Sequence, residues 1–345
     1  MKQKFVYLDD TPGETRGIIC DDVGFQLVLT RFDGEDEQER LEARSVGRVA
    51  RLEADRRGAF VELRAGQAAS AFLPLSGPQR VEAGQKIEVQ VVSERREMKG
   101  VVLGLRGPAE GETRLLSPGP TVEQWLERLA PGMEPIRGLH AIDAGWRAVQ
   151  EADGQPFLTG GLSVTVERTR AMVTADIDYN APGSRLTPRD RLEINRKALA
   201  RIAQTLRLRS LGGLVAIDLL GVGHDGDAIS RAAKSAFGPD PEIAYGPVNR
   251  FGVLMISLPW RFTPLAERLY RHPASRSYWP RAGAAEATRR LRHALLSDTT
   301  TARVAVRCPT QIAELAAPLV AQLGPRAHLR EDDSLRPGEF VLETE

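Results

Sequence analysis

Two apolar runs in the middle of this chain each end in aspartate, and a long amphipathic pattern separates them. The first reads Ala171-Met172-Val173-Thr174-Ala175-Asp176-Ile177-Asp178, the second Leu214-Val215-Ala216-Ile217-Asp218. Between them Pro188 to Leu208 carries Leu192, Ile194, Leu199, Ile202, Ala203 and Leu206 at helical spacing, and Gly212-Gly213 stops the helix. A carboxylate that ends a buried strand is costly unless something neutralises it. Two such ends, side by side in one sheet, would offer oxygen ligands to a hard divalent cation. That points to metal-assisted phosphoryl chemistry. Asp176 and Asp218 are thus the leading candidates for metal binding and catalysis.

Composition narrows the rest. A chain of 345 residues with 42% hydrophobic content can build two or three compact domains. Its formal net charge is +1, so no global field draws it onto nucleic acid and any polyanion site must be local. Cys20 and Cys308 lie far apart with no Cys-x-x-Cys pair, which argues against a disulfide framework or a structural zinc. No apolar stretch follows Met1-Lys2-Gln3-Lys4-Phe5, and none approaches the roughly 18 residues of a membrane span. The expected setting is the cytoplasm, with no membrane partner.

Strand patterns occupy 5–8, 16–20 and 25–29, followed by the acidic connector Asp33-Gly34-Glu35-Asp36-Glu37. Five short strands then recur within 43–106, a set that suits a small closed barrel with no open edge. A Pro/Gly-rich boundary spans 107–120. Helical patterns follow at 122–130 and 140–151, strand at 158–178, a short helix at 228–236 and a strand near 252–257. The tail carries helices near 283–296 and 310–322.

Several runs resemble the catalytic core of the bacterial ribonuclease E/G family. They are Asp176-Ile177-Asp178, Asn195, Leu206-Arg207-Leu208-Arg209-Ser210-Leu211-Gly212-Gly213-Leu214-Val215-Ala216-Ile217-Asp218, and Asn249-Arg250-Phe251-Gly252-Val253-Leu254. Upstream, Gly47, Ala59-Phe60-Val61, Phe72-Leu73-Pro74-Leu75 and Lys99-Gly100 are similar to the family's S1 domain. The resemblance implies an α/β, multidomain fold: an RNase-H-like element (1–40 and 107–157) with an inserted S1, OB-type barrel (41–106). A DNase-I-like catalytic domain (158–262) and a small C-terminal α/β domain (263–345) follow. It further implies an endonuclease for single-stranded RNA that leaves a 5′-phosphate and a 3′-hydroxyl. Mg²⁺, with Mn²⁺ as a substitute, would be held by Asp176 and Asp218 with Asp178 assisting.

The chain departs from the family pattern in four places. Asp178 stands where the family has Asn, and an extra carboxylate should tighten a metal or raise a neighbour's pKa by repulsion. Gly221 replaces an aspartate. Only 107–157 lies where larger members carry a 5′-monophosphate sensor, so sensing of the RNA 5′ end is expected to be absent or weak. Cys308-Pro309 lacks the second cysteine of the family's zinc link, so neither zinc nor a zinc-linked dimer is expected; the oligomeric state is left open. The first two departures sustain an alternative, a non-catalytic RNA-binding protein that keeps the fold.

Other signals have two readings each. Phe60 and Phe72 either stack unpaired bases or fill the barrel. Arg48, Arg51 and Lys99 either hold phosphates or form a solvated face. Arg185, Arg189, Arg191, Arg196, Lys197, Arg201, Arg207 and Arg209 form a basic stripe, facing RNA or only solvent. Asn195 either contacts RNA or bonds nearby backbone, and Arg250 either holds RNA or pairs with a carboxylate. Gly221-Val222-Gly223-His224-Asp225-Gly226 matches a dinucleotide-binding pattern but lacks the rest of that unit.

Overall fold

The computed structural model describes residues 4–344 except 55–56, 68, 77–79, 98, 155–156, 181–185, 222, 224, 273–276 and 337. Arg185, Val222 and His224 therefore lie outside the described residues. The chain divides into two compact units. One comprises Met1–Gly24, Val28–Ala148 and Phe262–Glu345; the other comprises Phe25–Leu27 and Val149–Arg261.

Lys4–Thr11 and Glu14–Asp21 of the first unit pair antiparallel, and Gly24–Phe32, of which Phe25–Leu27 is counted with the second unit, is the third strand of their sheet. The barrel comprises Arg44–Leu52, Gly58–Glu62, Ala71–Pro74, Lys86–Ser93 and Val102–Pro108. It closes because Arg44–Leu52 pairs with Lys86–Ser93 and also with Gly58–Glu62. Alternation sends Val49, Ala59, Val61, Leu73, Ile87, Val89 and Leu103 into its core. The five-strand closed barrel is OB-like, as the pattern indicated. A sixth strand, Arg114–Ser117, lies inside the stretch read as a boundary. Gly58–Glu62 ends opposite Arg48, so it pairs only with the second half of Arg44–Leu52, while Arg44, Ser45 and Val46 pair with Arg114–Ser117. An edge that would otherwise stand open is covered.

The C-terminal part of this unit sets Val304–Cys308 between a parallel strand, Ala327–Glu331, and an antiparallel one, Val341–Thr344. Helices Pro280–Ser297 and Thr310–Val320 supply Ala284, Leu291, Ile312 and Ala316 to its core. Arg289 of the first helix is 0% exposed and donates to Asp9 (2.6 Å), Glu14 (3.0 Å) and Glu286 (3.3 Å). Arg16 makes a two-pronged bond to Glu14, 2.9 Å for each nitrogen. Burial alone would raise the carboxyls of Asp9 and Glu14, but the two guanidiniums bring both below the ordinary range.

The second unit is a six-stranded mixed sheet. Its order is Phe157–Thr159, Leu162–Arg168, Val173–Tyr179, Gly213–Asp218, Val253–Leu258, Ala244–Val248. Val173–Tyr179 and Gly213–Asp218 run parallel, and every other neighbouring pair is antiparallel. The crossover between the parallel strands is the helix Pro188–Leu208. Thr187 caps it, accepting from the Asp190 amide at 3.2 Å while the Asp190 carboxylate takes the Thr187 N–H at 2.9 Å. Proline at its first position is compatible with the fixed φ of that residue. Its Ala198, Leu199, Ile202 and Leu206 pack with Val173, Ala175, Ile177, Val215 and Ile217, covering one face of the sheet. The helix Gly226–Phe237 adds Ile229 and Ala233 to the same core.

Candidate active site

The uncovered face of this sheet carries the carboxylates. In Val173–Tyr179 the buried residues are Val173, Ala175 and Ile177, so alternation turns Asp176 and Asp178 outward. In Gly213–Asp218, Val215 and Ile217 are buried and Asp218 is exposed. Parallel register pairs Asp176 directly with Asp218. Thr165 flanks Asp176 on one side and Val253 flanks Asp218 on the other, so Thr165, Asp176, Asp218 and Val253 form one row across four strands. One step along, Asp178 pairs with Ser163 and borders an open groove of about 690 Å³ lined by Leu158, Gly160, Gly161, Tyr179 and Asn180. The strand ends expected to be buried are thus buried on one side only. The acids stand on the solvated face and need no neutralising partner to be there.

Proximity has an electrostatic consequence. The Asp176 carboxyl is raised above the ordinary aspartate value by partial desolvation first, then by the charges of Asp178 and Asp218 and a hydrogen bond with Asp178. Among the described residues, no group of three or more His, Cys, Asp or Glu side chains is arranged to hold a metal ion. The donor chemistry nevertheless suits a small hard cation. Mg²⁺ takes one or two carboxylates and fills its other positions with water and substrate oxygens, so it does not require an all-protein cage. Asp176 and Asp218 supply such a pair.

The edge beyond Asp218 is built by Asn195. Fully buried in the helix, it accepts from the Leu220 amide at 2.9 Å and donates to the Leu220 carbonyl at 3.3 Å. Its amide is spent on backbone, so this residue fixes the turn leaving Asp218 and does not reach a ligand surface. Gly221, next in that turn, has φ +86°, and a Cβ there would lie 2.8 Å from Arg191 Cδ. Both the conformation and the space favour glycine over the family's aspartate. Asp225 caps the helix Gly226–Phe237 by accepting from the Ala228 amide at 3.0 Å. A carboxylate therefore sits where a dinucleotide phosphate would dock.

The basic stripe is divided by the helix that carries it. Arg201 pairs with Glu151 at 2.6 Å, and Arg196 makes a two-pronged bond to Glu193. Arg209 donates to the carbonyls of Ala152 (2.6 Å), Val166 (2.6 Å) and Gly154 (3.0 Å), a clamp between segments of this unit. Arg207 donates to the Ala236 carbonyl and to Gln26. The helix covers the face of the sheet opposite the carboxylates, so the stripe does not form one continuous track across them. Among the described residues, Arg191 of the stripe reaches the turn after Asp218, its Cδ lying where a Cβ on Gly221 would fall within 2.8 Å. Arg250 pairs with no described carboxylate and lies 4.7 Å from the centroid of the Phe251 ring.

On the barrel, Phe60 and Phe72 are cross-strand partners whose neighbours Ala59, Val61, Ala71 and Leu73 fill the core. Their own rings are half-buried on the outside, 5.5 Å apart and edge to face. Arg51 stacks over Phe60 at 3.7 Å. Lys99 is exposed, and Arg48 is exposed with Glu62 at 3.6 Å. Cys308 is fully buried, and burial pushes its thiol up to about 11, which suits a packing residue. No described helix is long and apolar enough to cross a membrane.

A comparison of the chain with curated proteins gave no match. Residues 138–257, which include the paired aspartates, Asn195 and the Arg250–Phe251 turn, match the model of the Ribonuclease E/G family. Endoribonuclease chemistry in RNA processing or decay is the activity that this match suggests. Over this stretch, which holds both parallel aspartate strands and the helix between them, the chain is similar to the ribonuclease E/G family.

Proposed function

We propose that this chain is a compact endoribonuclease that cuts single-stranded RNA internally, using a divalent cation held by Asp176 and Asp218 with Asp178 assisting. The observation that carries this reading is the register pair Asp176–Asp218 on the solvated face of adjacent parallel strands. When bound, the cation supplies positive charge to the scissile phosphate and lowers the pKa of a water. The chain's own residues set the geometry and the protonation. Asp176 and Asp218 orient the cation from two strands held rigid by the helix beneath them. Partial desolvation, then the charges of Asp178 and Asp218, let Asp176 retain its proton more readily than an ordinary aspartate. That proton must leave before both carboxylates can serve as ligands, so cleavage should fall at a higher pH than ordinary aspartates would dictate. The products would be a 5′-phosphate and a 3′-hydroxyl.

The barrel's outward Phe60–Phe72 pair, with Arg51, Arg48 and Lys99, would grip RNA by stacking and charge. Replacing both rings with alanine should weaken binding of a single-stranded RNA about ten- to a hundredfold, from roughly 1–3 kcal/mol per stacked base. Fluorescence anisotropy at fixed salt checks this, and unchanged affinity would remove the barrel from the reading.

Cleavage is proposed to be indifferent to the RNA 5′ end. The interval available for a sensor is occupied by the strand Arg114–Ser117 and the helices Val122–Leu129 and Leu139–Asp153. The test uses one labelled, A/U-rich RNA carrying either a 5′-hydroxyl or a 5′-monophosphate, with Mg²⁺, Mn²⁺ or EDTA. Internal, metal-dependent cuts at similar rates on both RNAs are expected. RNA that binds but stays whole in both metals would instead establish a non-catalytic RNA-binding protein.

A further inference from the structure

We propose that the Arg250–Phe251 turn is a stacking platform for one nucleobase of single-stranded RNA beside the bond cut at Asp176 and Asp218; the proposal rests on the ribonuclease reading above. Position is the first argument. Val253 is the register partner of Asp218, and the Leu219 amide donates to the Gly252 carbonyl at 3.2 Å. Phe251 stands two residues before Val253, at most roughly 7 Å along the chain from the Asp218 row. The root of the turn is therefore fastened to the residue that follows a candidate metal ligand.

Rigidity is the second argument. The Asn249 side chain accepts from the Phe251 amide at 2.9 Å and from the Val253 amide at 3.0 Å. The Gly252 amide donates to the Asn249 carbonyl at 3.1 Å, and Gly252 adopts φ +87°, which glycine alone enters freely. Asn249 is thus consumed in holding the turn, while residues 250 and 251 are presented by it.

The third argument is chemical. Phe251 is 66% exposed although the strand it precedes buries Leu254 and Ile256 in a complete core. No packing requirement keeps an aromatic ring in water. Arg250 lies 4.7 Å from the ring centroid and has no ion-pair partner among the described residues. A guanidinium on an exposed ring leaves the remaining ring surface for another π system and puts a positive charge beside it. A nucleobase with its phosphate matches both halves of that arrangement, whereas an apolar protein surface would leave the charge unanswered.

The test walks a single 2-aminopurine along a short single-stranded RNA bound to the full chain carrying Asp218→Asn. Quenching is expected at one position. It should be lost in the additional Phe251→Ala variant and kept in Phe251→Tyr, with both melting at the temperature of the parent. In the cleavage-competent chain, Phe251→Ala should lower kcat/KM about ten- to a hundredfold. Removing the base at the quenched position should cost the unmodified protein a similar factor, and the two losses should not multiply. Quenching that survives Phe251→Ala at every position overturns the platform. If the RNA is bound but never cut, the ribonuclease reading fails alone, and the quenching pattern still decides whether the turn stacks a base.

Discussion

Asp218→Asn, and separately Asp176→Asn, should lower RNA cleavage at least about a thousandfold while RNA affinity stays within a few-fold. The size follows from the several kcal/mol of charge stabilisation that a lost metal ligand forfeits, each 1.36 kcal/mol being tenfold in rate. Affinity is spared because base stacking and phosphate contacts elsewhere carry it. Single-turnover cleavage and anisotropy on one RNA separate the two effects. Cleavage that survives both substitutions would move the chemistry away from these strands.

A readout without RNA accompanies this. Asp176 keeps its proton above 3.8, the value of an ordinary aspartate, because desolvation and two like charges disfavour its anion. In that window the folded chain binds more protons than the unfolded one, so this group's contribution to stability falls as pH rises. At neutral pH the repulsion is fully present. Mg²⁺ or Mn²⁺ should therefore raise the melting temperature, and more so as pH rises through the titration of Asp176. Asp176→Asn should melt higher than the parent in EDTA and lose the metal response. An equal rise with metal in both proteins would show binding somewhere else.

The other large effect concerns stability. Arg289→Met should lower the unfolding free energy by about 3–5 kcal/mol, the usual result of removing one partner from a buried ionic cluster. Asp9, Glu14 and Glu286 would lose a donor that touches all three, and would keep Thr11 on Asp9 (2.6 Å), Arg16 on Glu14 (2.9 Å) and both Arg290 (3.0 Å) and the Trp146 indole N–H (3.1 Å) on Glu286. Urea unfolding at neutral pH measures it, and a loss below 1 kcal/mol would show that the cluster is not a unit. Acid should mimic the substitution. Glu94 is brought down to about 2 by Arg31 and Arg268 and by the amides of Leu41 and Thr263, against the cost of its burial. Its stabilisation is whole above its ordinary value of 4.5 and is lost as pH falls toward 2. Asp9 and Glu14, also lowered, add to acid lability with the same sign.

Much of the second unit was legible because its signals are local. The helix Pro188–Leu208 follows from apolar spacing, a proline start and the Gly212-Gly213 stop. The closed barrel follows from short alternating strands, since five such strands can hide their edges only by closing. The strand Arg114–Ser117 was not legible, because the edge that it covers arises where a strand distant in the chain stops pairing, with Glu62 opposite Arg48. Asn195 and Arg209 show the same limit at single residues. Sequence marks them as polar positions in a family motif. Only the fold decides that the first bonds Leu220 and the second clamps three carbonyls.

The chain's own sequence determined which residues end the two strands, the helix that joins them, and the family whose core they resemble. Periodicity, caps and glycine stops act over a few residues and can be read without a fold. The tertiary structure decided that Asp176 and Asp218 are direct neighbours, on the solvated face and not in the core. It also decided that the basic helix covers the opposite face and that Phe251 is left in water beside them. Those outcomes depend on strand order and on which face a helix covers, and both are settled by packing between segments far apart in the chain.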